Sequence, residues 1–284
     1  MTGELFRALG AYCEADSKTV APVAAALGLA VPSRAEHTEL FIFQLYPYAS
    51  VYTGTDGMLG GEAADRVAGF WRAAGLTPPA EPDHLAALLG FYAACSDADR
   101  ERTRHLRHAL LWEHLLSWLP AWLARLAEVA PTPYVRWGRL LQAALRAEAE
   151  ELGPPASLPL HLRMAPSADG TKALLAPACS GVIVTRSDLG RAARALRLGL
   201  RHGERRYALE ALLAQDGPAV LDWLAGEARR QAGLYRSLTP AWRPVAEHWA
   251  SRAEVTAVSL AHLAEEARGG THQVQMRGGP MGRL

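Results

Sequence analysis

The sequence predicts an all-α fold, because apolar residues recur at helical spacing along most of its 284 residues and alternating strand patterns are rare. Ala, Leu, Arg and Glu, which are compatible with helices, dominate the composition. Hydrophobic residues make up 50% of the chain, which is enough to bury one substantial core. We therefore expect a helical bundle with an additional C-terminal helical region.

The first predicted unit consists of helices marked by apolar stripes. Apolar residues three and four positions apart recur within 67–74, 85–92, 111–118 and 134–145. Pro120 interrupts this pattern and is expected to start a new helix or to kink one. These stripes predict a bundle that is complete by residue 152.

A change in composition after the bundle predicts the domain organisation. Five prolines occur between Gly153 and Gly181, and a proline-rich interval of this length is typical of a connection. Helical spacing then resumes and fades near residue 267. We predict a bundle domain over 1–152, a Pro-rich linker over 153–181, a C-terminal helical extension over 182–267 and a disordered tail over 268–284.

The cysteines and the N-terminal sequence indicate a cellular compartment. Cys13, Cys95 and Cys179 lie far apart, so neither a disulfide framework nor a thiolate zinc site is expected. The first residues lack the pattern of a secretory signal, and no uncharged apolar run reaches the roughly 18 residues that a membrane span needs. We expect a cytoplasmic protein that does not insert into a membrane.

The motif content argues against catalysis. The sequence contains no Gly-rich phosphate loop, GxSxG elbow or HExxH pair. His105 and His108 are spaced to share a helix face, but the basic residues around them disfavour a cation. We therefore predict no enzyme, no catalytic residue, no metal site and no bound cofactor. The 30 basic and 29 acidic residues also give no overall charge that would favour nucleic acid.

The segment over 36–99, which we call the acidic segment, combines negative charge with aromatic residues. It holds nine acidic and only two basic residues, so it would attract a cationic peptide. The sequences HTELF and YPYASVYTG within it would supply apolar contacts if they lined a groove. The alternative is that Leu40, Phe41, Tyr48 and Tyr52 are core residues.

Two pairs of polar and aromatic residues carry the same ambiguity. Asp83 and His84 stand at a predicted helix start, where they could bind a ligand or could cap the helix and brace the bundle. His114 and Trp118 lie four residues apart in an apolar stripe, and their polar atoms need a partner that is either a neighbour or a ligand. We assign this second pair a structural or a binding role.

Five sequence elements occur in the order that is typical of one chaperone family. They are TELF, YASVY followed by LGG, FWRAAGL, EPDHLAALLGF and WEHLLSWLPAW, all between residues 37 and 122. Together they resemble the cytoplasmic TorD/DmsD/NarJ-type chaperones, which assist assembly of molybdenum-containing reductases. The region after residue 155 departs from the short members of that family.

The resemblance implies a function and a set of site residues. It implies a system-specific chaperone that binds the twin-arginine signal peptide of a molybdopterin-containing oxidoreductase until its cofactor is inserted. The partner would be the catalytic subunit of that enzyme, and a homodimer is left open. By position, signal-peptide contacts would fall on His37, Leu40, Phe41, Tyr48, Asp83 and His84.

The Arg-rich region over 186–206 suggests a second contact surface. It holds seven arginines against two acidic residues, a charge that would repel a twin-arginine motif. We predict that Arg194, Arg197 and Arg201 contact the folded client or its cofactor. The alternatives are a solvated helix face and a nucleic-acid-binding regulator that uses these Arg-rich helices.

Overall fold

The computed structural model describes residues 3–14, 17–98, 101–167, 173–201 and 203–277. Within these ranges the regular structure is helical, apart from one isolated antiparallel bridge between Tyr48 and His84. The predicted all-α fold with further helices in the C-terminal region is confirmed.

The N-terminal part of the chain, up to residue 152, contains nine α-helices and two π-helices among its described residues. They are α1 (Gly3–Tyr12), α2 (Ser17–Leu27), α3 (Arg34–His37), π1 (Thr38–Gln44), α4 (Ala49–Thr53), α5 (Gly61–Ala73), α6 (Leu85–Asp97), α7 (Arg104–Ala109), π2 (Leu110–Leu115), α8 (Leu119–Val129) and α9 (Thr132–Leu152). Pro120 stands in the first turn of α8, so it starts a new helix as its fixed backbone angle favours.

The C-terminal part contains a helical hairpin preceded by shorter helices. Its described elements are α10 (Leu160–Met164), α11 (Pro177–Ser180), α12 (Arg186–Leu196), α13 (Arg205–Arg236), a 3-10 turn (Pro240–Trp242) and α14 (Arg243–Arg277). Helix α13 is interrupted at Asp216, whose backbone is non-helical and whose Oδ1 accepts a hydrogen bond from the Ala219 amide. Pro218 explains the break, because it cannot donate to the preceding turn.

The centre of the N-terminal bundle is a group of packed aromatic rings. Trp137 donates its indole hydrogen to the Leu9 carbonyl at 2.9 Å, which ties α9 to α1. Phe41 stacks on Trp122 with ring centres 6.3 Å apart and meets the ring of Tyr134 edge-on at 5.0 Å. Large rings bury more apolar area than other side chains, so this group holds α1, π1, α8 and α9 together.

A buried ion pair joins the two parts of the chain. The Arg125 guanidinium on α8 donates to both carboxylate oxygens of Asp188 on α12, at 2.8 and 2.7 Å, and both side chains are 1% exposed. Asp188 also accepts hydrogen bonds from the Thr185 amide and hydroxyl in a capping box that starts α12. Burial alone would raise the pKa of Asp188. Arg125 and the hydrogen bonds from Arg191 and Thr185 lower it by more, so the net pKa lies below its usual range.

Further contacts place the hairpin against the bundle. Trp249 of α14 donates to the Ser117 carbonyl at 3.0 Å. Gly181 adopts a left-handed backbone with φ of 68°, and a Cβ there would stand 2.5 Å from the Ala253 amide nitrogen. Only glycine fits this close approach. The hairpin and the bundle therefore share one continuous core.

The division of the chain into a bundle domain, a linker, an extension and a tail, with boundaries at residues 152, 181 and 267, stays a prediction. The interval 153–181 contains α10 and α11 in its described residues. Helix α14 extends to Arg277, inside the segment predicted as a tail, and residues 278–284 lie outside the described residues.

We predict that Asp188→Asn strongly destabilises the protein. The substitution removes the carboxylate that accepts two hydrogen bonds from buried Arg125 and leaves Glu128 and the more distant Glu227 as its acidic partners. Breaking a buried ion pair typically costs about 3–5 kcal/mol in the free energy of unfolding, and the remaining carboxylates place the expected cost at the lower end of that range. Urea denaturation measures the loss. The matched control is Glu150→Gln, which breaks an exposed ion pair with Arg146 and should cost less than about 1 kcal/mol. Equal effects of the two substitutions would contradict the central role of the buried pair.

Candidate functional site

The start of α6 carries two of the residues that the resemblance implies as peptide contacts, Asp83 and His84. Asp83 is 3% exposed, and its Oδ2 accepts a hydrogen bond from the Ser50 amide at 2.9 Å. Its carbonyl accepts a second bond from the Ala49 amide at 3.0 Å. Asp83 therefore satisfies the free amides at the start of α4, a helix that precedes it by 33 residues in the chain.

His84 caps α6 and faces Tyr48. Its Nδ1 accepts a hydrogen bond from the Ala86 amide at 3.2 Å, so the unprotonated nitrogen of the ring is turned toward the helix. Burial lowers the pKa of His84, although Glu81, Glu14 and Asp83 oppose that shift. The imidazole is consequently neutral at neutral pH.

Tyr48 connects this site to an exposed carboxylate. Its ring meets that of His84 edge-on with centres 4.8 Å apart, and its hydroxyl donates to Oε2 of Glu81 at 2.9 Å. Burial and the contact with Glu81 raise the pKa of Tyr48 to about 12, so the phenol stays protonated. Glu81 is exposed and was counted among the acids of the sequence, but the sequence alone did not single it out as a ligand.

Apolar groups surround the same place. The Trp71 indole nitrogen donates to the Pro82 carbonyl at 3.3 Å, and this ring is only partly buried. The Gly60 amide donates to the Ser50 hydroxyl at 3.1 Å, which brings the adjacent Leu59 close to the start of α4. Leu59 is 54% exposed. We call Tyr48, Leu59, Trp71, Glu81 and His84 the α6 mouth.

His37 lies on the neighbouring helix turn and is partly buried. Its Nε2 stands 3.2 Å from the Cys13 carbonyl and donates to it, because a carbonyl only accepts. Its ring meets Phe41 edge-on at 5.0 Å. Burial lowers the pKa of His37, and its hydrogen bond to the Cys13 carbonyl opposes that shift.

Leu40 and Phe41 are core residues in this structure. Their side chains are 0% and 1% exposed, which agrees with the alternative that they belong to the core. A peptide could contact them only after π1 moved. The exposed apolar side chains of π1 are instead Ile42 at 51% and Phe43 at 40%. The wider turn of a π-helix shifts which positions face outward, and a spacing argument based on 3.6 residues per turn misses this shift.

His114 and Trp118 are both buried. Trp118 stacks on Tyr52 with ring centres 5.2 Å apart and donates its indole hydrogen to the His114 carbonyl at 2.9 Å. The His114 ring packs against Phe70 at 4.5 Å. Of the two roles predicted for this pair, structural or binding, these contacts support the structural role.

His114 belongs to a group of buried basic side chains. Burial and the nearby Arg66 charge lower the pKa of His114 to about 4, and the same causes, with further histidines, lower that of His161 to about 3. His161 lies on α10, where its Nε2 has no hydrogen-bond partner among the described residues. Those residues also contain no group of three or more His, Cys, Asp or Glu side chains that could hold a metal ion.

The three arginines predicted for client contact lie in different surroundings. Arg194 lines a groove between α12 and π1. Arg197 caps the C-terminal end of α12 with a left-handed backbone, φ 57°, a conformation that is uncommon for residues other than glycine. Arg201 donates to the Tyr207 hydroxyl at 2.9 Å and lines an adjoining groove. Arg194 and Arg201 thus face grooves, whereas Arg197 has a role in the backbone turn.

Among the described helices, none combines the length and the apolar composition that a membrane crossing requires.

Comparison with known proteins shows what part of this bundle is similar to. Residues 20–124 match the family of nitrate reductase delta subunits. The chaperone proteins TorD of Vibrio vulnificus strains YJ016 and CMCP6 are each 36% identical to the chain over 96 residues. The resemblance to TorD/DmsD/NarJ-type chaperones is thereby confirmed. The match covers 29% of this chain and 44% of each relative, and no solved structure matches.

We predict that stability falls as the pH drops from 6.5 to 5 because of the buried histidines. Histidine in the unfolded chain has a pKa near 6.5, whereas the folded values of His114 and His161 are about 4 and about 3. The unfolded chain therefore binds more protons in this range, which costs about 2 kcal/mol for each histidine at pH 5. Urea denaturation at several pH values measures the slope.

The control for this prediction compares substituted histidines. His161→Gln should flatten the slope, whereas His262→Gln should leave it unchanged because His262 is 68% exposed. A slope that is the same in both variants would show that other groups cause the pH dependence.

Proposed function

We propose that this protein is a maturation chaperone for a molybdopterin-containing oxidoreductase and that it binds the twin-arginine signal peptide of that client. The match of residues 20–124 to the delta-subunit family carries the proposal, together with relatives that are named chaperones. A role before export would place the protein in the cytoplasm, where the client is synthesised. The proposal involves binding and no catalysis.

The α6 mouth has the chemistry that a twin-arginine peptide needs. Glu81 presents an exposed carboxylate that can accept paired hydrogen bonds from a guanidinium. Leu59 and Trp71 offer apolar contacts for the hydrophobic stretch that follows the arginines in such a peptide. His84 is neutral and adds no repelling charge.

Asp83 has a different role in this proposal. Its carboxylate is buried and holds the Ser50 amide, so it is a positioning residue that fixes Tyr48 and His84 relative to α4. His37, at the end of α3, contributes through its ring contacts with Phe41 and Tyr134, which fix the start of π1. Leu40 and Phe41 contribute indirectly, as the core on which π1 rests.

A nucleic-acid-binding regulator is the less favoured function. The Arg-rich region raised it, but Arg191 is paired with Asp188 and Glu227 and Arg205 donates to the Val184 carbonyl, so these arginines contribute to the fold. The family match favours a chaperone instead.

We predict that Glu81→Gln weakens binding of a twin-arginine peptide about ten- to a hundredfold. Loss of a hydrogen bond to a charged partner typically costs about 1.5–3 kcal/mol. Isothermal titration of a synthetic peptide with two adjacent arginines and an apolar stretch measures the affinity. Glu247→Gln is the matched control, since Glu247 is 68% exposed and lies on α14. Wild-type affinity in Glu81→Gln, or an equal loss in Glu247→Gln, would contradict the site.

We predict that Asp83→Asn lowers stability and affinity together. An amide in place of the carboxylate weakens the bond to the Ser50 amide, which should cost about 1–2 kcal/mol in the free energy of unfolding. Thermal melts run beside peptide titrations test this coupling. Weaker peptide binding with an unchanged melting temperature would show that Asp83 contacts the peptide directly and does not position other residues.

A further inference from the structure

A groove separates π1 from α12 and is distinct from the α6 mouth. It encloses about 580 Å³, a volume in the usual range for ligand sites. Gln44 connects its two walls, because the Gln44 side chain donates to Glu39 at 2.6 Å and accepts from the Ser187 amide at 3.1 Å. The groove therefore has a fixed floor between two elements that are remote in sequence.

The walls of this groove carry an excess of positive charge, with three arginines against the single carboxylate of Glu39. Arg186 and Arg194 line it, and neither has an acidic side chain within ion-pair distance among the described residues. Arg191 of the same helix differs, since it bonds to Asp188 at 2.6 Å and to Glu227 at 3.1 Å. Arg191 therefore stabilises the fold through its ion pairs, whereas Arg186 and Arg194 can pair with an anionic group of a ligand.

Apolar surface accompanies these charges. Phe43 is 40% exposed, and the Arg186 guanidinium lies over its ring at 4.9 Å. Stacking of this kind holds the guanidinium in place and leaves its edge free to donate. Leu200, 41% exposed, forms the opposite rim.

A second groove continues from Leu200. It encloses about 560 Å³ and is lined by Arg201 and Tyr207 together with Glu210. Because both grooves share Leu200, they form one continuous path along which arginines and apolar side chains lie side by side. An extended polypeptide directs successive side chains to opposite sides, so a segment in which acidic and apolar residues alternate can present a charged side to the arginines and an apolar side to Phe43.

We propose that these two grooves bind an extended segment of the client polypeptide in which acidic and apolar side chains alternate. Carboxylates would pair with Arg186, Arg194 and Arg201, and apolar side chains would contact Phe43 and Leu200. The identity of the occupant as client rests on the proposed chaperone function. A twin-arginine peptide does not fit here, because its charge has the same sign as the walls.

The test uses the full chain and a defined probe. A fluorescein-labelled eight-residue peptide, blocked at both ends and alternating Glu with Leu or Phe, is titrated by fluorescence anisotropy. Wild-type protein should bind it, and a peptide with Lys in place of Glu should bind at least tenfold more weakly. Arg186→Glu and Arg194→Glu should each weaken binding of the acidic peptide at least tenfold, and Phe43→Ser should also weaken it.

Matched controls separate local contacts from net charge and from folding. Arg139→Glu makes the same charge change at an exposed position of α9, and Val258→Ser removes an apolar group that is 67% exposed on α14. Both should bind the acidic peptide like wild type. Thermal melts identify any variant that is unfolded, and for such a variant Arg186→Gln or Arg194→Gln replaces the charge reversal.

The outcomes decide the proposal independently of signal-peptide binding. Equal losses in Arg186→Glu and Arg139→Glu would overturn it, as would preferential binding of duplex DNA over the acidic peptide through the same arginines. Twin-arginine peptide affinity should be unchanged in Arg186→Glu. If wild type fails to bind the twin-arginine peptide but binds the acidic one, the proposed function fails while the groove assignment stands.

Discussion

The pairing of Arg125 with Asp188 is the interaction on which the arrangement of the two chain halves depends. Removing two charges from water costs several kcal/mol for each ion, so the pair is stable only with nearly complete hydrogen bonding. Thr185 and Arg191 supply the additional donors to Asp188. The result is a fixed position for α12 beside α8, and through Gln44 also beside π1.

The fixed position of α12 allows the C-terminal region to form one wall of the proposed client groove. The groove between π1 and α12 exists only where the family-matched segment and the later helices meet. The α6 mouth, in contrast, is built entirely from residues 48–84. One chain can thus present two surfaces of opposite charge, one formed within the family-matched segment and one formed at its contact with the hairpin.

The sequence predicted the helices well because their signal is local. Apolar stripes at 67–74 and 85–92 became α5 and α6, and Pro120 began α8. The site was less predictable, because its geometry depends on contacts between distant positions and on unusual backbone. Asp83 acts on α4 and not on the helix that follows it. No pattern in the sequence marks Arg125 as buried, and helical spacing cannot reveal that π1 turns Phe43 outward and Phe41 inward.

The break in α13 at Asp216 has a mechanical consequence. The half after the break carries Glu227, which bonds to Arg191, and Gln231, which bonds to the backbone of Ile183. The half before it carries Tyr207 and Glu210 on the groove wall. Since the helical backbone is interrupted at Asp216, the two halves are joined by a kink and do not form one continuous rod. The groove wall can therefore adjust to side chains of different bulk while the buried charges keep their geometry.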